Sequence, residues 1–323
     1  MLTPQLSIII PTYNRKEILL KALEGYKHQT ALTEILEILV IDDGSTDGTA
    51  AAVAGFGLAS PITIRCLSQQ NRGSAAARNY GIREAKGTLL FFTDDDIIPG
   101  PTLIAEHIAW HRRYPDDNFA MLGQVVWSPE VHPTPFMEWM GSYGALFGYA
   151  SLLPGKEVSF EYFYTCNVSA KREFLLKNGL FDETFRGSGY EDTELSYRLV
   201  KKGFCIFYNP EAIGYHYKYL SYAEACRRQE GVCASWLSFE PTEAGQYLKN
   251  RTAQAKPMTR KRRLMLAMAR AIAPLLAPLT LLFDTYVRLP RIVYSLVYFF
   301  YVAPKAQARF ERSRQQRQDA KAT

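Results

Sequence analysis

Apolar and polar positions along the first ninety or so residues fall into two alternating periods. Short aliphatic or β-branched runs, Leu6 to Ile10, Ile38 to Ile41, Ile62 to Leu67 and Thr88 to Phe92, read as buried strands. Between the first two, Ile18, Leu19, Ala22, Leu23 and Tyr26 recur at the spacing of one helical face. A further helix is predicted between Gly73 and Gly87, glycines that suit its start and its stop. This alternation predicts an α/β fold with a mostly parallel sheet flanked by helices. Ligands of such open sheets bind beyond the carboxyl ends of the strands, so chemistry is expected in the residues just after each strand.

Farther along, the period weakens. Residues 94 to 160 are mixed, and the stretch from Trp127 to Tyr149 is rich in aromatics with no clear repeat. Residues 171 to 179 and 191 to 202 predict helices, and Phe204 to Tyr208 a strand. Beyond residue 219 the composition turns helical and then membrane-like. Residues 264 to 283 are apolar except for Arg270 and contain Pro274 and Pro278; a second run, Ile292 to Ala303, follows Arg288, Pro290 and Arg291. Crossing a bilayer takes about 20 uninterrupted apolar residues. Both runs are therefore predicted to lie in a membrane interface, with a buried helical hairpin as the alternative.

Charge sharpens that picture. The 323-residue chain carries a net +6, yet residues 250 to 323 hold 15 Lys and Arg against 3 Asp and Glu, leaving 23 basic and 29 acidic residues before them. An acidic body with a cationic tail, clustered at Arg260 to Arg263 and Lys305 to Arg317, predicts a peripheral protein on an anionic membrane surface. The long apolar runs favour lipid over the backbone of nucleic acid, so no nucleic-acid partner is expected. Five scattered cysteines without CxxC spacing are expected to be reduced thiols, and the opening MLTPQLSIIIPTYN has no basic segment before its apolar run. A cytoplasmic location follows as the expectation, on the inner face of the plasma membrane.

Four predicted strands end in polar motifs. After the first come Pro11, Thr12, Tyr13, Asn14 and Arg15, an aromatic face and polar groups where a planar base can stack. After the second, Asp42-Asp43-Gly44-Ser45-Thr46-Asp47-Gly48 offers a carboxylate to a base or ribose; the plainer alternative is that Asp43, Ser45 and Asp47 only cap the next helix. After the third, a glycine turn opens a small-residue helix carrying Arg72 and Arg78, where a diphosphate can be met. After the fourth stand Thr93, Asp94, Asp95 and Asp96. Three adjacent carboxylates behind a buried strand repel one another unless a cation joins them, and hard oxygen donors suit Mn2+ or Mg2+. A solvated acidic loop is the alternative. Later, Gly187-Ser188-Gly189-Tyr190-Glu191-Asp192 opens a helix; its acids either favour the helix dipole or point a base into a cleft.

In order, SIIIPTYNR, VIDDGSTDGT, NRGSAAARNYG, FFTDDDIIP, NVSAKREFLLKNGLFDETF and GSGYEDTELSYRL resemble the blocks of family 2 glycosyltransferases of the GT-A fold, over roughly residues 5 to 220. The resemblance implies a catalytic domain at 1–220, with 1–118 as its nucleotide-sugar half and 119–220 as its acceptor half, followed by a helical extension at 221–323. It implies nucleoside contacts from Pro11, Tyr13 and Asp43, with Asp42 the alternative to Asp43, and nucleotide contacts from Arg15, Arg72, Arg78 and Asp94. Asp95 resembles the metal-binding acid of the DxD motif, with Asp96 and His216 as further ligands; an ordinary packed histidine is the alternative at 216. Thr93 stands where many members have the first Asp. Asp192 resembles the catalytic base, with Glu191 orienting it or touching the acceptor.

The chemistry implied is one in-line displacement that inverts the anomeric carbon, from a nucleotide-sugar, UDP-linked in the commonest case, to a hydroxyl of a glycan or lipid-linked acceptor. Rival readings are weaker. A sugar-phosphate nucleotidyltransferase lacks its usual Gly- and Arg-rich N-terminal loop here, and Gly55-Phe56-Gly57 follows a helix rather than the first strand, unlike a dinucleotide fingerprint. A binding protein with a retired site would have no reason to keep both Asp95 and Asp192.

Overall fold

The computed structural model describes residues 5–144, 146–186, 189–253 and 260–322. Among the described residues nine strands occur in chain order: β1 (Leu6–Thr12), β2 (Ile35–Asp42), β3 (Ile64–Ser68), β4 (Leu89–Thr93), β5 (Ile97–Pro99), β6 (Phe119–Trp127), β7 (Glu157–Val158), β8 (Asn167–Lys171) and β9 (Cys205–His216). The first helices are α1 (Lys16–Lys27), α2 (Thr49–Leu58), α3 (Ser74–Glu84), α4 (Leu103–Arg113) and α5 (Pro135–Ser142). The later ones are α6 (Arg172–Asn178), α7 (Glu191–Val200), α8 (Tyr222–Phe239), α9 (Glu243–Ala253), α10 (Arg260–Leu276), α11 (Arg291–Val297) and α12 (Ala303–Ala322).

The strands form one sheet in the order β3-β2-β1-β4-β8-β6-β9-β5, with β7 paired to β9. The expected parallel arrangement holds for β1 to β4. The sheet then becomes mixed, because β8 enters antiparallel between β4 and β6 while β9 runs parallel to β6. Alternation decides which side chains meet: Leu6, Ile8 and Ile10 of β1 pack with Leu19, Leu23 and Tyr26 of α1 and with α4 in one core cluster. On the opposite face Ile9 lies against α3 so closely that a Cβ on Gly81 would sit 2.7 Å from it, which leaves only glycine at that crossing.

By compactness the chain divides into two units, one of residues 1–131, 149–186 and 190–218, the other of 132–148, 187–189 and 219–323. The sheet lies in the first. Residues 132–148, grouped with the acceptor half on sequence, go instead with the C-terminal extension, because α5 buries Phe136 and Trp139 against Phe283 and Tyr294. In this second unit the two apolar runs part company. Leu264, Met265, Met268 and Leu275 of α10 stand exposed, whereas Tyr294, Val297, Tyr298 and Val302 are buried. The second run is therefore partly interior, since Tyr294 and Tyr298 find partners on α5 and α8 while Ile292 and Phe299 stay exposed. Arg263–Leu282 is long and apolar enough to cross a membrane by length and composition alone; Arg270, Pro274 and Pro278 interrupt it.

Behind the fourth strand lies a buried polar knot that the sequence does not announce. His107 Nδ1 is 2.7 Å from Ser169 Oγ and its Nε2 2.9 Å from Asn167 Oδ1, while His111 Nε2 is 2.9 Å from Ser169 Oγ. Asn167 Nδ2 donates to the carbonyls of Gln124 and Ala212, both at 2.9 Å, where the β6–β9 register shifts. A Cβ on Gly123 would lie 2.5 Å from that amide, so the shift needs glycine there. Burial pushes His107 down from its ordinary 6.5 to about 4 against the bond from Asn167, and His111 also well below. Both are neutral when folded but take protons once unfolded. Stability from His107 is thus complete above pH 6.5 and is lost as pH falls to about 4, a change of about 3 kcal/mol. Chemical denaturation across that range should show the loss, and a His107→Gln variant should show a shallower slope; equal slopes would contradict the assignment.

Candidate active site

Three parallel strands deliver their carboxyl ends to one rim, at Thr12 of β1, Asp42 of β2 and Thr93 of β4. The antiparallel β8 begins at the same place, with Asn167 opposite Thr93. The motifs after these strands meet there.

Asp95 and Asp96 are both nearly inaccessible, and one guanidinium serves the two. Arg15 places Nη1 2.8 Å from Asp95 and Nη2 2.7 Å from Asp96. Thr12 Oγ1 donates to Asp95 at 2.7 Å, and His216 Nε2 lies 3.4 Å from Asp96. The His216 ring stacks on Trp127, with centroids 5.0 Å apart. The neighbouring Asp94 turns the other way, to Arg78 Nη2 at 2.9 Å, and the same guanidinium reaches Glu191 from Nη1 at 3.1 Å. Arg78 is 4% exposed. It therefore joins the acidic tip of β4 to the acidic start of α7, two motifs nearly a hundred residues apart.

Electrostatics follow from that crowding. Burial, with Asp96 and Asp94 adding to it and Arg15 opposing, pushes Asp95 up to about 7. Burial also works against ionised Asp96, but His216 and Arg15 prevail and hold it well below the usual carboxylate range. Asp192 is raised to about 7, chiefly by burial and then by the charge of Glu191, with Arg78 opposing. The backbone N–H of Thr193 donates to it at 2.7 Å, which fixes it on the first turn of α7. Gly187 and Ser188 of the predicted flexible entry lie outside the described residues; Gly189 takes φ +101° and Tyr190 φ +73°.

The capping alternative for the second motif fails for Asp43. It accepts from Gln69 Nε2 at 2.7 Å and from the backbone N–H groups of Arg72 and Gly73, both at 2.8 Å, so it shapes the loop ahead of α3. Gly73 stands there at φ +90°, a conformation that glycine takes without strain. Asp42 closes its own turn on Ser45 N at 2.9 Å, and Asp47 is the residue that holds the first backbone N–H of α2, at 3.1 Å. Pro11 is half-buried on β1, the ring of Tyr13 is exposed, and Arg72 reaches out to Glu183 at 2.5 Å.

The rim thus brings together Thr12, Arg15, Arg78, Asp94, Asp95, Asp96, Glu191 and His216. Among the described residues no three His, Cys, Asp or Glu side chains converge as a ready metal cage. Arg15 and Arg78 supply counter-charge to the three aspartates. The donors still suit a divalent ion: carboxylate oxygens and one imidazole, fixed by Thr12 and by the Trp127 stack, behind an arginine that is about one-third exposed. Thr12, Gln69 and Trp127 escaped the sequence reading. Thr12 sits inside a motif without any mark of its own, and Trp127 opens the stretch that has no period.

The profile of glycosyl transferase family 2 matches residues 7–168, half of the chain. Validoxylamine A glucosyltransferase of Streptomyces hygroscopicus subsp. jinggangensis (strain 5008) is 32% identical over 235 residues, 65% of this chain and 55% of that protein. The chain spans about half to two thirds of the length of the first curated relatives it matches. Among solved structures, mannosyltransferase PcManGT from Pyrobaculum calidifontis, in complex with GDP-Man and Mn2+, aligns over 95% of this chain and 88% of its own at TM-score 0.57 and 18% identity. TarS 1–349 from S. aureus, in complex with UDP, aligns over 97% and 91% at TM-score 0.55 and 17% identity. The chain has the GT-A fold and belongs to glycosyl transferase family 2.

Proposed function

We propose that the first unit transfers a sugar, with inversion, from a nucleotide-sugar of the UDP type to a hydroxyl of a glycan or lipid-linked acceptor. The observation that carries this reading is Arg78, whose single guanidinium holds Asp94 at 2.9 Å and Glu191 at 3.1 Å. It keeps the donor-side acids and the start of α7 within reach of one reacting carbon. Asp192 takes the proton of the acceptor hydroxyl as its oxygen bonds the anomeric carbon and the bond from that carbon to the diphosphate oxygen breaks. Glu191, anchored by Arg78 and by Ser74 Oγ at 3.4 Å, orients the base beside it.

Pro11, Tyr13 and Asp43 face the nucleoside, with Asp42 closing the turn beside Asp43. Arg72 and the N–H groups ahead of α3 face the diphosphate. Asp95 and Asp96, with His216 and Asp94 beside them, would hold a divalent cation, Mn2+ or Mg2+, which supplies positive charge against the diphosphate and leaves no need for a leaving-group acid. Arg15, which meets that acidic pair, would be free to turn towards the nucleotide where the cation took over their charge.

Two measurements bear on the base and the donor. Asp192→Asn should lower kcat by roughly 10²- to 10⁴-fold while nucleotide still raises the melting temperature. The sign for the wild type is that Asp192 works ionised, so kcat/KM should climb as pH passes through about 7 and level off above. A profile flat across neutrality would count against the assignment. With Mn2+ present, UDP at a hundredfold excess over its Kd should add about 2.7 kcal/mol of stability. Stabilisation by GDP alone would move the donor class, and none by any nucleotide would sink the scheme.

The second unit is read as the membrane contact, on the cytoplasmic face. Its support is the exposed apolar row of α10, Leu264, Met265, Met268 and Leu275, on a chain segment with 15 basic residues against 3 acidic ones. The protein should float with anionic vesicles at low salt and less at high salt. Capture by RNA with no flotation would overturn this part.

A further inference from the structure

The second unit also holds a groove that no step of the transfer uses. It is open, has a volume of about 660 Å³, and is lined wholly by residues of that unit. Its wall is stiff. Trp139 of α5 and Tyr294 of α11 stand 6.0 Å apart between ring centres, in an aromatic cluster completed by Phe136 and Phe283. Thr134 caps α5 at Met137 N, 3.3 Å away, and Pro290, with φ −56°, sets the backbone ahead of α11.

Two arginines give the groove its character. Arg288 Nη2 meets Glu138 Oε2 at 2.8 Å. Arg291 lies over the ring of Tyr143, 4.1 Å from its centroid, and makes no ion pair among the described residues. A ring contact occupies the face of a guanidinium and leaves its N–H edge for a bidentate oxygen acceptor. With one carboxylate against two arginines, the lining carries an excess positive charge. Beside the arginines in sequence, Tyr286, Val287 and Ile292 are 70%, 49% and 62% exposed, so the two charges are flanked along the chain by apolar side chains open to solvent.

We infer that this groove binds the terminal phosphate of a membrane amphiphile, with phosphate oxygens on the edges of Arg291 and Arg288 and the chain along Val287 and Ile292. The cationic excess and the fork geometry select phosphate over a neutral sugar. The exposed apolar neighbours of the arginines select an amphiphile, because a soluble phosphate ester would leave those side chains in water. The inference rests on the membrane reading of this unit and narrows it from a charged surface to a shaped site.

The test floats the full-length protein with phosphatidylcholine vesicles of matched surface charge, containing either phosphatidic acid, which has a terminal phosphate, or phosphatidylserine. Binding to phosphatidic acid should be tighter by about tenfold, and Arg291→Gln should remove that preference. Arg291→Lys should remove it too, since it keeps the charge but loses the fork. Arg270→Gln, which deletes the same charge from α10, should weaken both vesicles alike. Circular dichroism melts of each variant exclude misfolding as the cause. Equal binding to both vesicles, or an equal loss of preference in Arg270→Gln, overturns the groove and leaves surface attachment standing. If the unaltered protein floats with neither, the membrane reading itself has failed. Competition by glycerol 3-phosphate as effective as that by the lipid would assign the site to a soluble phosphate ester and overturn the amphiphile.

Discussion

Carboxylates cannot be packed behind a hydrophobic strand without counter-charge, and that constraint organises this molecule. The interior of the sheet drives Leu89 to Phe92 out of water, and the chain then releases three aspartates at the rim, two of them inaccessible. Isolated buried charge of this kind costs several kcal/mol per ion. Two arginines from opposite directions resolve it: Arg15, just past β1, takes Asp95 and Asp96, and Arg78, inside α3, takes Asp94 and Glu191. Both guanidinium groups hold their protons more firmly than usual: burial works against them, but the surrounding acids outweigh it. The first half of the sheet, α3 and the start of α7 are held in register by charge as well as by packing.

Much of this arrangement was legible before the fold. Strands β1 to β4 follow from aliphatic runs bounded by turn residues, and their polar ends marked the rim because parallel strands in one sheet share a carboxyl edge. What escaped depends on partners that are distant in the chain. Nothing local reveals that Asn167 and Ser169, in a run with no strong β signal, form β8 antiparallel beside β4. Nothing local shows that Arg78 faces inward, since an arginine among alanines reads equally well as a solvated one. The Asp43 alternatives could not be separated from sequence, because capping and loop anchoring use the same residue types; only the bonds to Arg72 and Gly73 distinguish them.

The C-terminal half teaches the same lesson through composition. Its two apolar runs look alike in hydropathy but differ in texture. The first, mostly Leu, Met, Ala and Ile, leaves Leu264, Met265, Met268 and Leu275 outside and sends its terminal Phe283 against Phe136, while the second, rich in Tyr and Phe, buries Tyr294 and Tyr298 against Trp139. Aromatics gain from specific edge and face contacts as well as from area, so a run that carries them is pulled towards other aromatics wherever the chain supplies them. Here residues 132–148 supply them.

One feature at the back of the rim has a fixed polarity. The Asn167 amide spends both its hydrogens on the carbonyls of Gln124 and Ala212, so its oxygen must accept. His107 then carries its single proton on Nε2, its Nδ1 must receive the hydroxyl of Ser169, and that oxygen in turn receives from His111. Every hydrogen in the series has one direction, and each imidazole one tautomer. Exchanging Asn167 for its near-isostere Asp would therefore do more than add a charge: the oxygen facing His107 would go on accepting, but the carbonyls of Gln124 and Ala212 would face a second acceptor in place of the donor they share.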